Sequence, residues 1–335
     1  MPLITVVTPC YNEEANVEEV YRRVKAVMDG LPGYQYEHLF IDNASKDRTP
    51  DLLRALAAAD PKVKVILNAG NFGHIRSPYH GMLQAEGDAV VSLVSDLQDP
   101  PEMIPELLRR WEAGAKIVAA VKRSTEEGFV MAQARKTFYR VLARISDAKL
   151  IRNFTGFGLY DKQVIQLLRG IDDPNPYFRG LISELGYEPA LVPYDQPLRK
   201  KGKTKNNFFT LFDMAMLGLT KHSRAPLRIA TLAGFGMAAL SLLISLAYLV
   251  MKLVFWNEFQ FGLAPLLIGI YFFGSVQIFF IGILGEYVGS IQTHVRHLPL
   301  VVERERLNFG PAGAREGGGV TSPPSPAASR AAPSR

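Results

Sequence analysis

An α/β chain, with a mostly parallel sheet covered by helices and two membrane-spanning helices after it, is the architecture this sequence predicts. Over residues 3–200, apolar strand-like runs alternate with amphipathic helical patterns. Residues 229–251 and 261–285 then give 23 and 25 positions without a charge, each more than the ~20 needed to cross a bilayer as a helix. Carboxylates also gather directly after one apolar run, in Ser95-Asp96-Leu97-Gln98-Asp99-Pro100-Pro101-Glu102.

Leu3-Ile4-Thr5-Val6-Val7-Thr8 is the first strand, and residues 13–28 are a helix with Val17, Val20, Val24 and Val27 or Met28 on one face. Residues 38–42 form a second strand, 49–59 a second helix and 63–67 a third strand. Residues 89–94 and 117–121 add two more strands. In an open α/β sheet ligands sit at the carboxyl ends of parallel strands, so acids after residue 94 are placed to hold a metal and a phosphorylated substrate. The plainer reading of that run is a polar turn before a proline-started helix.

Residues 206–221 have a broad apolar face bracketed by Lys201, Lys203, Lys205, Lys221 and Arg224. They predict a helix lying in the membrane interface, with a helix packed on the soluble domain as the alternative. The resulting divisions are a soluble domain over 1–205, a juxtamembrane amphipathic helix over 206–227 and a two-helix transmembrane domain over 228–292. Residues 293–335 are a tail, disordered from about residue 310 because it is rich in Gly, Pro, Ala and Ser.

A net charge of +6 and a pI near 9.3 do not point to nucleic acid, because the cations gather near the spans and in the tail, where anionic lipid explains them. Lys221, Arg224 and Arg228 precede the first span and Arg296, Arg304 and Arg306 follow the second, while the loop between holds Lys252 and Glu258. That asymmetry predicts a cytoplasmic soluble domain and cytoplasmic termini. Cys10 is the single cysteine; it suits a reducing compartment, and no motif links it to a histidine base. His74 and His80 lie six apart and make no metal pair on a helix. His294, His297 and Glu286 read as residues of the membrane interface.

The turn after the first strand, Pro9-Cys10-Tyr11-Asn12-Glu13-Glu14, lacks the Gly-x-Gly-x-x-Gly of dehydrogenase-type dinucleotide folds. Val6-Val7-Thr8-Pro9-Cys10-Tyr11-Asn12-Glu13-Glu14 instead resembles the opening motif of glycosyltransferase family 2. Phe40-Ile41-Asp42-Asn43-Ala44-Ser45-Lys46-Asp47-Arg48-Thr49 and Asn71-Phe72-Gly73 resemble the family's next motifs. The resemblance is strongest to the polyprenyl-phosphate glycosyltransferases. It runs over about residues 3–292 and includes Arg199-Lys200-Lys201-Gly202-Lys203-Thr204-Lys205, Pro226-Leu227-Arg228 and the paired spans.

The resemblance implies a GT-A fold, a nucleotide diphosphate sugar donor, a polyprenyl phosphate acceptor and Mg²⁺ or Mn²⁺. It implies that Pro9, Tyr11, Glu13, Ile41 and Asp42 or Asn43 contact the nucleoside, and that Asp96 and Gln98 sit at the metal. Lys122 joins the donor-binding set. Arg199 and Lys205 have family counterparts that bind phosphates, and a cationic arm closing over developing negative charge fits that role; attraction to anionic lipid is the alternative. A homotetramer is what the bacterial resemblance suggests, with Gly234, Gly236, Ser241 and Ser245 suited to small-residue packing.

Two departures stand out. The family's usual Asp-x-Asp-x-Gln reads Val94-Ser95-Asp96-Leu97-Gln98 here, so valine holds the first acidic position. In Asn153-Phe154-Thr155-Gly156-Phe157-Gly158-Leu159-Tyr160-Asp161, Gly156 and Gly158 stand where an acid and an arginine are typical, and Glu184 is the acid available to compensate. The leading function is an inverting hexosyltransferase, UDP favoured, acting on polyprenyl phosphate for cell-surface glycan or lipopolysaccharide modification. A non-catalytic nucleotide-sugar-binding membrane scaffold, with a flippase as candidate partner, is the alternative. A processive polysaccharide synthase is disfavoured, because neither Trp111 nor Trp256 lies in a Gln-x-x-Arg-Trp motif.

Overall fold

A computed structural model describes residues 1–123, 151, 153–197, 225–255, 263–295 and 298–310. The expected interfacial helix over 206–221, Arg199, Lys205 and the tail beyond 310 lie outside these residues.

Eight strands form one mixed sheet in the order β7-β5-β6-β4-β1-β2-β3-β8. The expected strands are present as β1 (Leu3–Cys10), β2 (Gln35–Asp42), β3 (Val63–Asn68), β4 (Ala89–Ser92) and β5 (Ile117–Lys122). β4, β1, β2 and β3 run parallel, so their carboxyl ends open on one edge of the sheet. Three strands had no counterpart in the sequence reading: β6 (Phe154–Asp161), β7 (Ala190–Tyr194) and β8 (Glu303–Leu307). β6 lies antiparallel between β4 and β5, and β7 carries Pro193 at the sheet edge, where a residue lacking N–H is tolerated.

Helices cover both faces. α1 (Val17–Asp29), α2 (Thr49–Ala59) and α4 (Ile104–Glu112) bury Val17, Val20, Val24, Leu53, Leu107 and others against Val6, Phe40, Val65 and Val91. α3 (Gly73–Gln84), α5 (Lys162–Arg169) and α6 (Phe178–Glu184) bury Tyr79, Met82, Val164 and Leu168 against Val7, Leu39, Ile41 and Val90. Neighbours such as Val6 and Val7 thus serve opposite cores, which is why these strands read as unbroken apolar runs. α1 starts at Val17 instead of residue 13, because Glu13 and Glu14 are drawn into the loop that follows β1.

α7 (Ala225–Val254) and α8 (Leu263–Val295) follow. Among the described residues, one stretch is long and apolar enough to cross a membrane, Gly269–Gly289 in α8; the apolar stretch in α7, Thr231–Ile244, is shorter. Large side chains along both helices are exposed, including Leu232, Phe235, Tyr271 and Phe279.

After α8 the chain returns to the sheet, and β8 pairs antiparallel with β3. Arg304 and Arg306, expected as membrane-flanking cations, are therefore sheet-edge residues. Asn308 closes the return. It adopts a left-handed φ of 60°, which asparagine tolerates, and its Nδ2 donates to the carbonyls of Ala57 at 2.6 Å and Val63 at 2.8 Å. Asn308→Ala should cost about 1–2 kcal/mol in local stability. Amides of residues 303–307 should then exchange hydrogen roughly tenfold faster, while β1 amides keep their protection; unaltered exchange at β8 would contradict this.

Candidate active site

The carboxyl edge of β4, β1, β2 and β3 carries the loops singled out in the sequence. Pro9 stands level with Ile41, and Cys10 with Asp42, in the β1–β2 register. The loop after β1 is stitched to the loop after β2. Asn12 N–H donates to Ser45 Oγ at 2.8 Å and Asn12 Oδ1 accepts from Lys46 N–H at 2.8 Å. Glu13 N–H donates to Thr49 Oγ1 at 2.9 Å, and Glu14 N–H to Asp47 at 3.2 Å. Asn12 and Ala44 hold left-handed backbones at φ 54° and 58°, so both loops turn sharply.

Asp42 is fully buried and accepts from both the N–H and the hydroxyl of Ser45. Burial raises its carboxyl above the usual range, and those hydrogen bonds oppose the rise. Asn43 Nδ2 donates to Asn71 Oδ1 at 2.9 Å and to the Gly73 carbonyl at 3.1 Å, while its Oδ1 accepts from Phe72 N–H at 2.9 Å. The three motifs Asn12-Glu13-Glu14, Asp42–Thr49 and Asn71-Phe72-Gly73 thus form one hydrogen-bonded rim. Glu13, Asp42 and Asn43 belong to it; Pro9 and Tyr11 lead into it from β1, and Ile41, expected at the nucleoside, is instead fully buried in the core beneath it. Cys10 is buried and its thiol is pushed well up by that burial, which keeps it out of thiolate chemistry.

The acidic run is a separate loop beside this rim. β4 ends at Ser92, two residues short of the expected strand, although Leu93 N–H still bonds the Val7 carbonyl at 3.1 Å. Asp96 Oδ1 accepts from Gln98 N–H at 3.1 Å, an Asx turn around Leu97, whose φ is 62°. Asp96 and Gln98 are half-buried, whereas Val94 is 39% exposed. Asp99 is 3% exposed and binds inward, accepting from Val94 N–H at 3.2 Å and from Tyr194 O–H at 3.1 Å. Lys122 ends β5, and its positive charge acts to lower the Asp99 carboxyl against the effect of burial. Tyr194 escaped sequence reasoning: it reaches Asp99 from β7, 95 residues away, and nothing local marks it.

Among the described residues no three His, Cys, Asp or Glu side chains are grouped to hold a metal. A preformed cage is not required, because Mg²⁺ binds through one or two carboxylates plus substrate phosphates and water. Asp96, half-buried on a turn that the Gln98 backbone N–H fixes, offers a carboxylate to a metal completed by an incoming diphosphate.

Gly156 and Gly158 lie on β6. Gly158 stands opposite Ser92 on one side and Ala119 on the other, and a Cβ there would meet the Val118 carbonyl oxygen at 2.2 Å. Gly156 has φ 106°. Glu184 is exposed at the end of α6.

Burial pushes the Asp99 carboxyl up to about 6; the charge of Asp96 adds to this, and hydrogen bonds from Val94 and Tyr194 oppose it. A carboxyl that holds its proton more tightly when folded stabilises the fold fully below the ordinary carboxylate pKa and loses that contribution as pH rises through 6. Asp99→Asn should therefore gain melting temperature relative to the parent as pH rises from about 4 to about 6, measured with EDTA present. A difference that does not vary with pH would contradict this account of Asp99.

The family model for glycosyl transferase family 2 matches residues 5–168. Bactoprenol glucosyl transferase of Shigella phage SfV is 35% identical over 306 residues, covering 90% of this chain and 99% of that protein. The uncharacterized glycosyltransferase YkcC of Bacillus subtilis (strain 168) is 34% identical over 299 residues, covering 89% and 92%. Glucosyl-3-phosphoglycerate synthase from Mycobacterium tuberculosis, solved with Mn²⁺, uridine diphosphate and phosphoglyceric acid, aligns with a TM-score of 0.42 at 18% identity, covering 65% of this chain and 75% of that one.

Proposed function

This chain belongs to glycosyltransferase family 2, and on that footing we propose that it is a membrane-anchored, inverting hexosyltransferase. Its donor is a nucleotide diphosphate sugar, UDP-linked by preference, and its acceptor is polyprenyl phosphate. The observation that carries this reading is the meeting of the Asp96–Gln98 turn with the interlocked loops after β1 and β2 on one edge of the sheet. Near full-length similarity to a protein named bactoprenol glucosyl transferase supports the lipid acceptor.

In the proposed reaction a phosphate oxygen of the lipid attacks the anomeric carbon from the face opposite the diphosphate. The bond between that carbon and the diphosphate oxygen breaks, and its electron pair leaves with the nucleotide. A phosphate monoester has a second pKa near ~6, so the attacking oxygen is already largely deprotonated at neutral pH. Gly156 in place of an acid is compatible with this chemistry, since no general base is required. Asp96 and Gln98 would hold Mg²⁺ or Mn²⁺, which when bound would supply electrostatic stabilisation of the leaving diphosphate. Pro9, Tyr11, Glu13 and Asp42 or Asn43 seat the nucleoside, with Ile41 packed in the core behind them, Lys122 faces the phosphates, and Arg199 and Lys205 are the proposed cationic arm.

Two crossings of the membrane, by α7 and α8, belong to the same proposal. β7 precedes these helices and β8 follows them, yet both lie in one sheet, so the chain between must cross an even number of times. That supports a soluble domain and a post-membrane strand on the same side, which the cations flanking the first span assign to the cytoplasm in this proposal. Purified full-length protein should move label from a UDP-hexose into a lipid that is extracted by organic solvent and cleaved by mild acid. Absence of such a product across a panel of donors would overturn the assignment.

A further inference from the structure

β8 brings one unpaired cation to the donor rim. Glu303 binds His80 and Arg306, Glu305 binds Arg54, and Arg306 also reaches Gln84. Arg304, between them, is exposed and makes no hydrogen bond or ion pair among the described residues. It sits where the β3–β8 register shifts, between the Leu67–Glu305 and Asn68–Glu303 pairings at the carboxyl end of β3. Its charge acts on Asp42, the buried acid at the end of β2.

The strand order fixes which part of a donor lies nearby. β8 is four strands from β4, about 19 Å at the usual strand spacing, and two strands from β2, about 10 Å. A diphosphate beside Asp96 is therefore at the opposite end of the site from Arg304, and the end of the nucleotide that extends across β1 and β2 toward β8 is the base. A guanidinium offers five donors and no acceptor, so it suits a base edge that presents carbonyl oxygens and opposes one that presents an amino group.

We propose that Arg304, delivered by the strand that follows the membrane helices, reads the base of the donor, donating to O4 of uracil, where cytosine carries an amino group instead. The proposal rests on the nucleotide-sugar reading above. It makes the donor site complete only when the chain beyond α8 has docked back onto β3.

Calorimetric binding of UDP and of CDP to the full chain in nanodiscs, with Mn²⁺, tests this. The unsubstituted protein should bind UDP at least about tenfold more tightly than CDP, the scale of one charge-assisted hydrogen bond. Arg304→Ala should weaken UDP by about tenfold and leave CDP nearly unchanged, with an unaltered melting temperature. Arg304→Lys should retain only part of the preference, because an ammonium lacks the planar fork. Arg306→Ala, which loosens the same strand through Glu303 and Gln84, should preserve the UDP to CDP ratio. Parallel loss of both nucleotides in Arg304→Ala, or no loss of either, would overturn the role of Arg304 while leaving nucleotide binding itself intact. If the unsubstituted protein binds neither nucleotide, the donor reading fails and the base-reading role fails with it.

Discussion

Asp96→Ala is expected to lower sugar transfer by about 10²–10³, the scale seen when one pre-positioned electrostatic contact to a leaving group is removed. The fold should survive. The hydrogen bond that Asp96 gives up to Gln98 N–H lies in a half-buried loop and is worth about 1 kcal/mol, whereas the buried strands on either side are untouched. Asp99 provides the contrast. Its carboxylate is committed to Val94 and Tyr194, so Asp99→Asn should act first on stability and its pH dependence, and Asp96→Ala on turnover. Steady-state kinetics on both variants, with melting curves alongside, separate the two roles. Unchanged turnover in Asp96→Ala would move the metal to another site.

Gly158→Ala is expected to destabilise the soluble domain by more than about 3 kcal/mol, the upper range for forcing an extra methyl into a packed interior. β6 runs in the middle of the sheet, and the added Cβ would stand 2.2 Å from the Val118 carbonyl oxygen and 3.3 Å from Ala119 Cα. Backbone atoms cannot rotate away as a side-chain end can, so the β5–β6 ladder has to part. Gly156→Ala should be milder in packing, since the nearest atom, on Phe178, lies at 3.7 Å, but its φ of 106° disfavours any side chain. Chemical denaturation of both variants measures the difference. A Gly158→Ala protein as stable as its parent would mean that β6 does not pass β5 this closely. On this backbone a glycine at 158 is a packing requirement.

What was legible in the sequence follows from how local each signal is. β1 to β5 announce themselves because residues such as Val6 and Val7, or Phe40 and Ile41, are buried on opposite faces and leave uninterrupted apolar runs. α2 has Pro50 near its start and matches the expected span of 49–59. β6 was hidden by its two glycines, which lower strand propensity and make sense only beside the Val118 backbone. β7 was hidden by Pro193, and β8 by its composition, Glu-Arg-Glu-Arg-Leu. Charged residues are what protect a sheet edge, and here they are matched by Arg54, His80 and Gln84, more than 200 positions away in the chain.

The same division holds within the site. Pro9, Tyr11, Asp42, Asn43 and Asp96 could be named as candidates because each belongs to a contiguous motif at the end of an apolar strand. Tyr194 and Arg304 could not, because each enters from a strand that pairs only in three dimensions. The acidic run after β4 divides accordingly: Asp96 on an Asx turn and Asp99 turned to the interior differ by three positions in sequence, and their hydrogen-bond partners separate them.

Mass spectrometry of the lipid product most directly tests the central claim. Purified full-length protein, given polyprenyl phosphate, Mg²⁺ or Mn²⁺ and a panel of nucleotide sugars, should yield one hexosyl phosphopolyprenol from one preferred donor, with the product lost on adding EDTA and in Asp96→Ala. Nucleotide-sugar binding without any hexosylated lipid, for every donor and either metal, would contradict it and leave a binding protein in place of a transferase.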